Sequence, residues 1–215
     1  MNTFWNRSFV KRSYCTAFVL VLSVFAVASA HAQTDVNINA FGAFPGTATG
    51  PATVTGQPLK QTADPSLGFR IGARHVFSPL FGLEINYGYS RAVQHFTGDP
   101  SQTGPVYAHA KPFSIDYVAT FPTFHGFKPF ALGGAALVTY NISSFSAIPA
   151  RLERLPAGEY GVGADYRPAM FPRYLGFRFQ YRGLVEHAPD FRLPYLQTNN
   201  LINIAEPSVG LYFKF

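Results

Sequence analysis

The sequence predicts an all-β protein: an eight-stranded antiparallel up-and-down transmembrane β-barrel after an N-terminal signal peptide. Three observations predict this fold. The chain of 215 residues is 47% hydrophobic but only 13% charged, against about 25% charged residues in a typical soluble domain. After residue 33 there is no apolar run of the roughly 18 residues that a membrane-spanning helix needs. The apolar residues instead alternate with small and polar ones, which is the period of a β-strand with two different faces.

Residues 1–32 have the three parts of a secretory signal peptide. Arg7, Lys11 and Arg12 supply the positive start, and residues 17–27 supply an apolar stretch of the usual length. Residues 30–32, with the sequence AHA, form a small-x-small cleavage site. We therefore expect residues 1–32 to be removed and residues 33–215 to form one barrel domain.

Removal of this segment changes the charge and the cysteine content of the chain. Residues 33–215 keep 14 Lys and Arg residues against 11 Asp and Glu residues, so the formal net charge falls from +6 to +3. The remaining basic residues form no dense run, and no nucleic-acid partner is predicted. Cys15 is the only cysteine and precedes the cleavage site, so the exported domain is not held by disulfides.

Eight segments of the exported domain alternate between large apolar side chains and small or polar ones. They are residues 35–44, 67–74, 83–90, 113–121, 130–140, 160–166, 175–182 and 208–215. No stretch with the helical period of 3.6 residues competes with them. Each segment is therefore predicted to be a strand.

The connections between the predicted strands alternate in length. Long connections rich in Gly, Pro, Ser and Thr follow every odd-numbered strand, at residues 45–66, 96–107, 141–158 and 184–201. Short connections follow the second, fourth and sixth strands, centred on Pro79, on Pro122, and on Pro168 with Pro172. Proline is tolerated in such turns because no ladder donor is needed there. This alternation is typical of an up-and-down barrel with one elaborated end.

The bulk of the side chains predicts which face of each strand points outward. One face carries Phe, Tyr, Leu and Ile, and the other carries Gly, Ala, Ser, Thr, Asn and ionisable residues. The interior of an eight-stranded barrel is just filled by side chains, so aromatic rings from every strand would overfill it. We therefore predict an aromatic face toward lipid, in preference to a soluble lipocalin-like barrel, in which the two faces are reversed.

The inward face is predicted to hold a cluster of charges of both signs. Its members are Arg70, Arg74, Glu84, Asp116, Asp165, Arg178, Arg182, Glu206 and Lys214. Buried charges must be paired, because an unpaired one is strongly destabilising. If Phe77 opposes Phe81 across the turn, Arg74 lies directly opposite Glu84 and forms an ion pair with it. We expect a self-satisfied plug, with a gated conduit for ions or small hydrophobic compounds, or a proton path, as the alternative.

The end of the chain carries a more specific resemblance. Residues 209–215, VGLYFKF, end in Phe215 with apolar Phe213 and Leu211 at alternating positions before it. This segment resembles the C-terminal signal by which the barrel-assembly machinery recognises bacterial outer-membrane barrels. Residues 127–135, FKPFALGGA, and residues 207–211, PSVGL, are similar to the fifth and eighth strands of small OmpA-like and OmpX-like barrels.

The resemblance implies an integral protein of the bacterial outer membrane with both termini in the periplasm. Its expected partners are outer-membrane lipid and lipopolysaccharide, and the barrel-assembly machinery during biogenesis. The chain is expected to be a monomer. The resemblance covers a functionally mixed family, so it implies location more than role.

The histidines and serines of the exported domain match no known catalytic arrangement, and no catalytic, cofactor or metal site is predicted. The chain resembles the lipid A deacylases in size and barrel type, but their His-x-Ser pair is missing because Gly and Phe follow His125. A palmitoyl-transferring site would need a His and a Ser at the outer rim, where His95, His109 and Ser101 are the candidates. A lipid A-modifying enzyme therefore stays an alternative, and we expect that the protein is not an enzyme.

The long loops are the expected site of function. His187 with Glu186 and Asp190 could bind a metal, but their spacing is that of a solvated loop. The loop cations that could meet lipopolysaccharide phosphates are Lys60, Arg151, Arg154 and Arg192. The acids that balance them are Asp64, Asp99, Glu153 and Asp190. Because rigid scaffolds use loops for binding, we expect a structural or surface-interaction role, with the ligand left open.

Overall fold

The structure is a computed structural model that describes residues 33–52, 56–78, 80–98, 105–143, 151–193 and 196–215. The predicted signal peptide, Pro79, Asp99 and Ser101 lie outside the described residues. In the described part of the chain, no helix is long and apolar enough to cross a membrane.

The described residues form ten β-strands. They are β1 (Gln33–Pro45), β2 (Ala48–Pro51), β3 (Pro58–Ala63), β4 (Ser66–Ser78), β5 (Phe81–Thr97), β6 (Val106–Thr120), β7 (Phe127–Ile142), β8 (Glu153–Tyr166), β9 (Leu175–His187) and β10 (Leu201–Lys214). All of them except β2 and β3 build a barrel in which every neighbouring pair is antiparallel. The pairings of β1 with β10 and of β5 with β6 close it. The predicted eight-stranded antiparallel barrel is confirmed.

The strands run further toward the long connections than the sequence indicates. Glu153–Tyr166 begins inside the predicted loop 141–158, and Leu175–His187 ends inside the predicted loop 184–201. The predicted loop 45–66 also contains the β2–β3 hairpin, whose second strand pairs with the outer end of β5. The alternation of apolar and polar side chains is weaker there, because these residues lie beyond both the lipid and the filled interior that impose it. The backbone hydrogen bonds between the strands nevertheless continue.

The turn between β4 and β5 contains a local correction to the predicted register. Arg74 lies opposite Glu84, as predicted, but Ser78 and not Phe77 faces Phe81. The register shifts between Val76 and Ser78, so one extra residue is absorbed next to the turn. The Phe77 and Phe81 rings still stack, with centroids 5.0 Å apart.

The two faces of the barrel wall have opposite character. Ile38, Ile85 and Ile115 face outward with about half of their surface exposed (49%, 49% and 51%). Asn37 and Asn86, one residue away on the same strands, face inward and are buried. A soluble barrel has the reverse arrangement, so this wall requires an apolar surrounding such as the interior of a bilayer. The predicted orientation of the aromatic face is confirmed.

Gly210 is expected to be essential to the strand pair that closes the barrel. It lies opposite Asn39, and a Cβ added there would lie 2.0 Å from the carbonyl oxygen of Ile38. Because this backbone is held in the ladder, we expect Gly210→Ala to lower the free energy of unfolding by about 1–3 kcal/mol. Urea unfolding of the barrel refolded into lipid vesicles measures this. Gly158→Ala is the control, since a Cβ there meets nothing within 4 Å; equal midpoints for the two variants would contradict the prediction.

Candidate functional site

The lower half of the barrel, toward the short turns, is filled by a network of ion pairs. We call it the charge network, and its members are Asp35, Arg70, Arg74, Glu84, Asp116, Glu159, Asp165, Arg178, Arg182 and Glu206. Successive strands contribute inward-facing residues because side chains alternate across the wall. The network therefore joins groups from seven of the eight barrel strands.

Arg182 of β9 is the centre of the charge network. Its Nη2 atom lies 2.6 Å from Oε1 of Glu84, and its Nη1 atom lies 2.8 Å from Oδ2 of Asp116 and also contacts Glu159. The four side chains are buried. One guanidinium thus neutralises carboxylates from β5, β6 and β8, which ties together strands that are not neighbours.

Two further arginines extend the network toward the short turns. Nε of Arg74 donates to Oε2 of Glu84 at 2.5 Å, which forms the ion pair predicted from the turn. Arg178 donates from Nε and Nη2 to the two oxygens of Asp165, at 2.6 and 2.9 Å, and its Nη2 lies 3.0 Å from Oδ1 of Asp35. The bidentate contact with Asp165 fixes the relative orientation of the guanidinium and carboxylate planes as well as their separation.

Arg70 continues the network on the side of the long connections. It donates to Glu206 of β10, and its Nη1 atom lies 3.4 Å from Oε1 of Glu159. Neutral donors complete the coordination of the acids: Nδ2 of Asn86 lies 2.9 Å from Oδ2 of Asp116, and the Ser114 hydroxyl donates to the same oxygen at 3.0 Å. Every charged member of the network therefore has an oppositely charged partner within it, as a plug requires.

The predicted lumen cluster and the observed network differ at three residues. The network contains every predicted member except Lys214, which lies partly buried at the lower mouth of the barrel. Sequence reasoning missed Asp35 and Glu159. Asp35 is the first residue of the predicted strand 35–44 and shares the inward parity of Asn37. Glu159 precedes the predicted start of its strand at residue 160, so extending that alternation by one residue finds it.

The lower mouth holds a polar cavity of about 310 Å³. Its lining includes Lys128, Arg167 and Lys214 together with Asp35 and Asp165. The cavity ends against Arg74, whose side chain is 1% exposed. Water can therefore enter from the side of the short turns only as far as the charge network.

An apolar layer lies above the charge network. It is built from inward-facing side chains, among them Phe41, Tyr140, Leu184 and Ile204, which are at most 7% exposed. Phe191 closes this layer from the loop between β9 and β10, and it is fully buried. Its ring packs edge-on against that of Tyr140, at right angles and with centroids 6.2 Å apart.

The loop that carries Phe191 is drawn into the mouth of the barrel as a strap. We call residues 188–193 and 196–200 the outer strap. Phe191 and Arg192 have φ values of 53° and 59°, which non-glycine residues rarely adopt, so the surrounding contacts must hold them. The Phe191 N–H donates to Oε2 of Glu153 at 2.8 Å, and Nε2 of Gln61 donates to the carbonyl of Pro189 at 2.9 Å.

The outer strap is also tied to the β2–β3 hairpin. Nδ2 of Asn200 donates to the carbonyl of Thr49 at 2.7 Å. Leu59 on β3 and Leu196 on the strap are both buried in the apolar layer. The hairpin and the outer strap together form an ordered outer cap over the end of the barrel with the long connections.

Glu186 lies inside the barrel and not in the solvated loop that the sequence predicted. It lies on β9, faces inward and is 1% exposed, with the Tyr140 hydroxyl donating to its carboxylate. His187 follows it in the strand and is exposed on the opposite face, so the considered metal site with Asp190 does not form. Among the described residues, no group of three or more His, Cys, Asp and Glu side chains is arranged to hold a metal.

The histidines considered for acyl transfer lie apart from the charge network. Nε2 of His95 lies 3.1 Å from Oδ2 of Asp64 in an exposed pair, and Nδ1 of His109 lies 2.8 Å from the Tyr89 hydroxyl. Both rings are on the outside of the wall, by the alternation of β5 and β6. His125 lies in the turn before β7, at a φ of 47°.

The Glu153 carboxyl group, which accepts the hydrogen bond from the Phe191 N–H, is expected to titrate near neutral pH. The next residue, Arg154, is exposed on the wall, so this level lies outside the lipid-facing band. Burial, together with the negative charge of the neighbouring Asp190, raises the pKa of Glu153 to about 7, against the opposing effect of the hydrogen bond from the Phe191 N–H. Since the folded pKa lies above the unfolded one, this group's contribution to stability is greatest below about pH 4.5 and is lost as the pH rises through 7.

The NMR shift of the Phe191 amide measures this titration. We expect a midpoint near pH 7 in detergent micelles and no such transition in Glu153→Gln. A midpoint near 4.5, the value of an exposed glutamate, would contradict the expectation.

No protein-family model and no curated protein sequence matches the chain. Solved structures do match it. Neisserial surface protein A has a TM-score of 0.54 at 16% identity, covering 85% of this chain and 97% of its own. The outer membrane protein OprG of Pseudomonas aeruginosa has a TM-score of 0.51 at 15% identity, covering 85% of this chain and 95% of its own. Ail, the attachment invasion locus protein of Yersinia pestis, has a TM-score of 0.50 at 12% identity, covering 85% of this chain and 98% of its own. The chain therefore has the fold of the small eight-stranded outer-membrane β-barrels.

Proposed function

We propose that this chain is an integral, non-catalytic protein of a bacterial outer membrane, exported by a cleaved signal peptide, whose barrel supports an outer cap that binds molecules outside the cell. One observation carries the proposal. The interior is filled from the charge network up to Phe191, whereas the strands continue past the lipid-facing band into an ordered cap. A filled barrel serves as a rigid support, and its exposed end is where binding takes place.

The filled interior argues against the alternative of a conduit. Arg74, Arg178 and Arg182 are at most 1% exposed, and buried apolar side chains, among them Phe41, Leu184 and Phe191, lie above them. We expect no steady conductance steps from the protein in planar bilayers. Steps that disappear in Arg74→Ala or Glu84→Ala would support the conduit instead.

The names of two structural neighbours favour a surface role. One is a surface protein, and another is the product of an attachment invasion locus. Those names describe those proteins. For this chain they support a test of binding by the outer cap.

Cysteine labelling of intact cells tests the location and the orientation. Lys60→Cys lies on the β2–β3 hairpin, and Arg173→Cys lies in the short connection before β9; both positions are exposed. A membrane-impermeant maleimide should label the first variant on intact cells and the second only after lysis. The unmodified chain is the control for Cys15, its only cysteine. Labelling of Arg173→Cys on intact cells would overturn the orientation.

A binding assay tests the role of the outer cap. Cells that produce the protein should adhere to immobilised matrix proteins or glycans more strongly than cells without it. Replacing residues 48–63 by a short Gly-Ser turn should abolish the gain, while Arg173→Ala should leave it unchanged. Mass spectrometry of lipid A from the same cells tests the enzyme alternative, and a lipid A species that depends on the protein would overturn the non-catalytic proposal.

A further inference from the structure

Three basic side chains form a patch on the outside of the barrel wall. They are Arg91 on β5, Lys111 on β6 and Arg154 on β8, and we call them the wall patch. Arg91 and Arg154 are exposed and Lys111 is partly buried, whereas the residues beside them, such as Ala110 and Glu153, face inward and are buried. The wall patch therefore belongs to the outer surface and not to the interior.

The strand register brings the three side chains together. Lys111 lies opposite Thr139, and Thr139 lies opposite Arg154, so the two cations share one row across three strands. Arg91 lies opposite His109, which is two residues along β6 from Lys111 on the same face. Since neighbouring strands lie about 5 Å apart, the backbone positions of Lys111 and Arg154 are roughly 10 Å apart.

The wall patch lies at the upper edge of the lipid-facing band. In the next outward row below Lys111, toward the short turns, the residues are Tyr87, Phe113 and Leu137, each with about 45% of its surface exposed (45%, 45% and 44%). Aromatic and apolar residues mark the hydrocarbon region of such a wall and its interface. The cations are thus at the level of the headgroups on the side of the long connections.

The positive charges of the wall patch are not neutralised by ion pairs within the described residues, and they lie on one side of the barrel. In the described part of the chain, none of the ion pairs involves Arg91, Lys111 or Arg154. On the opposite half of the wall, β10 has Asn203 and β1 has Phe44 at the outer end. An unpaired positive surface confined to β5–β8 favours an anionic ligand that approaches from the membrane.

We propose that the wall patch binds the phosphate groups of a lipid A molecule in the outer leaflet. Arginine matches phosphate oxygens with paired N–H donors, and lysine adds a point charge. The exposed Lys60, Arg151 and Arg192, which sequence reasoning grouped with Arg154, lie on the long connections and not on the wall. The inference rests on the proposed outer-membrane location, which assigns the headgroup level to lipid A.

Lipid binding to the full chain purified in mild detergent tests the proposal. Native mass spectrometry follows titration with bisphosphorylated lipid A and with its dephosphorylated form. The variant R91Q/K111Q/R154Q should bind the bisphosphorylated lipid at least about tenfold more weakly than the unmodified chain. The matched control K60Q/R151Q/R192Q removes the same charge from the long connections and should bind within about twofold of the unmodified chain.

Three results would overturn the wall patch as the site. They are unchanged binding by its variant, an equal loss in the control, and equal binding of the dephosphorylated lipid by the unmodified chain. Heat-modifiable migration on gels checks that each variant is folded, and R91Q/K111Q replaces the triple variant if that one does not fold. Cysteine labelling reports failure of the outer-membrane location separately, since lipid titration in detergent does not depend on location.

Discussion

Arg182→Met is expected to lower the free energy of unfolding by about 3–5 kcal/mol, the largest effect of a single change in the interior. Arg182 bonds to Glu84, Asp116 and Glu159, all of which are buried. Methionine fills much of the same volume but leaves the three carboxylates without their shared cation. Urea unfolding in lipid vesicles, and the temperature at which the folded band disappears on gels, measure the loss.

Arg91→Met is the matched control for this prediction. It makes the same replacement on the outer face of β5, where the side chain is exposed and forms no ion pair within the described residues. Its effect should stay within about 0.5 kcal/mol. Adding Glu159→Gln and Asp116→Asn to Arg182→Met should recover part of the loss by removing unpaired charge. An unchanged midpoint for Arg182→Met would show that the charge network does not hold the barrel together.

Phe215→Ser is expected to remove most of the protein from the outer membrane without changing the stability of the refolded barrel. We propose that Leu211, Phe213 and Phe215 are read by the barrel-assembly machinery. The Phe215 side chain is 81% exposed, so it adds little packing. Its N–H donates to the carbonyl of Thr34 at 2.8 Å, a backbone bond that serine keeps.

The control for this prediction is a similar change at the other end of the same strand. Leu201 is 62% exposed at the start of β10, and Leu201→Ser removes an outward apolar side chain without altering the end of the chain. Immunoblots of outer-membrane fractions and urea midpoints of refolded protein are compared for both variants. Equal outer-membrane levels of Phe215→Ser and the unmodified chain would contradict the recognition proposal, and an equal fall in both variants would point to general instability.

The barrel and the identity of its faces could be predicted from the sequence because lipid and lumen impose opposite demands on alternate residues. Ile85 and Glu84 illustrate this: neighbours in one strand, they are 49% and 0% exposed. The ion pair of Arg74 with Glu84 could also be predicted, since a short turn fixes the register of the strands that it joins. Local pattern is sufficient for both results.

The sequence by itself determined the eight strands, their outward faces and most of the inward charges. Only the tertiary structure decided that Arg182 joins carboxylates from three other strands, that Glu186 faces inward, and that the outer strap seats Phe191 in the mouth. Each of these depends on contacts between distant parts of the chain or on a ladder that continues where alternation has faded. The gathering of Arg91, Lys111 and Arg154 likewise follows from register across four strands, which no single segment encodes. The physical reason is that a strand's own period specifies its faces, whereas barrel closure specifies which faces meet.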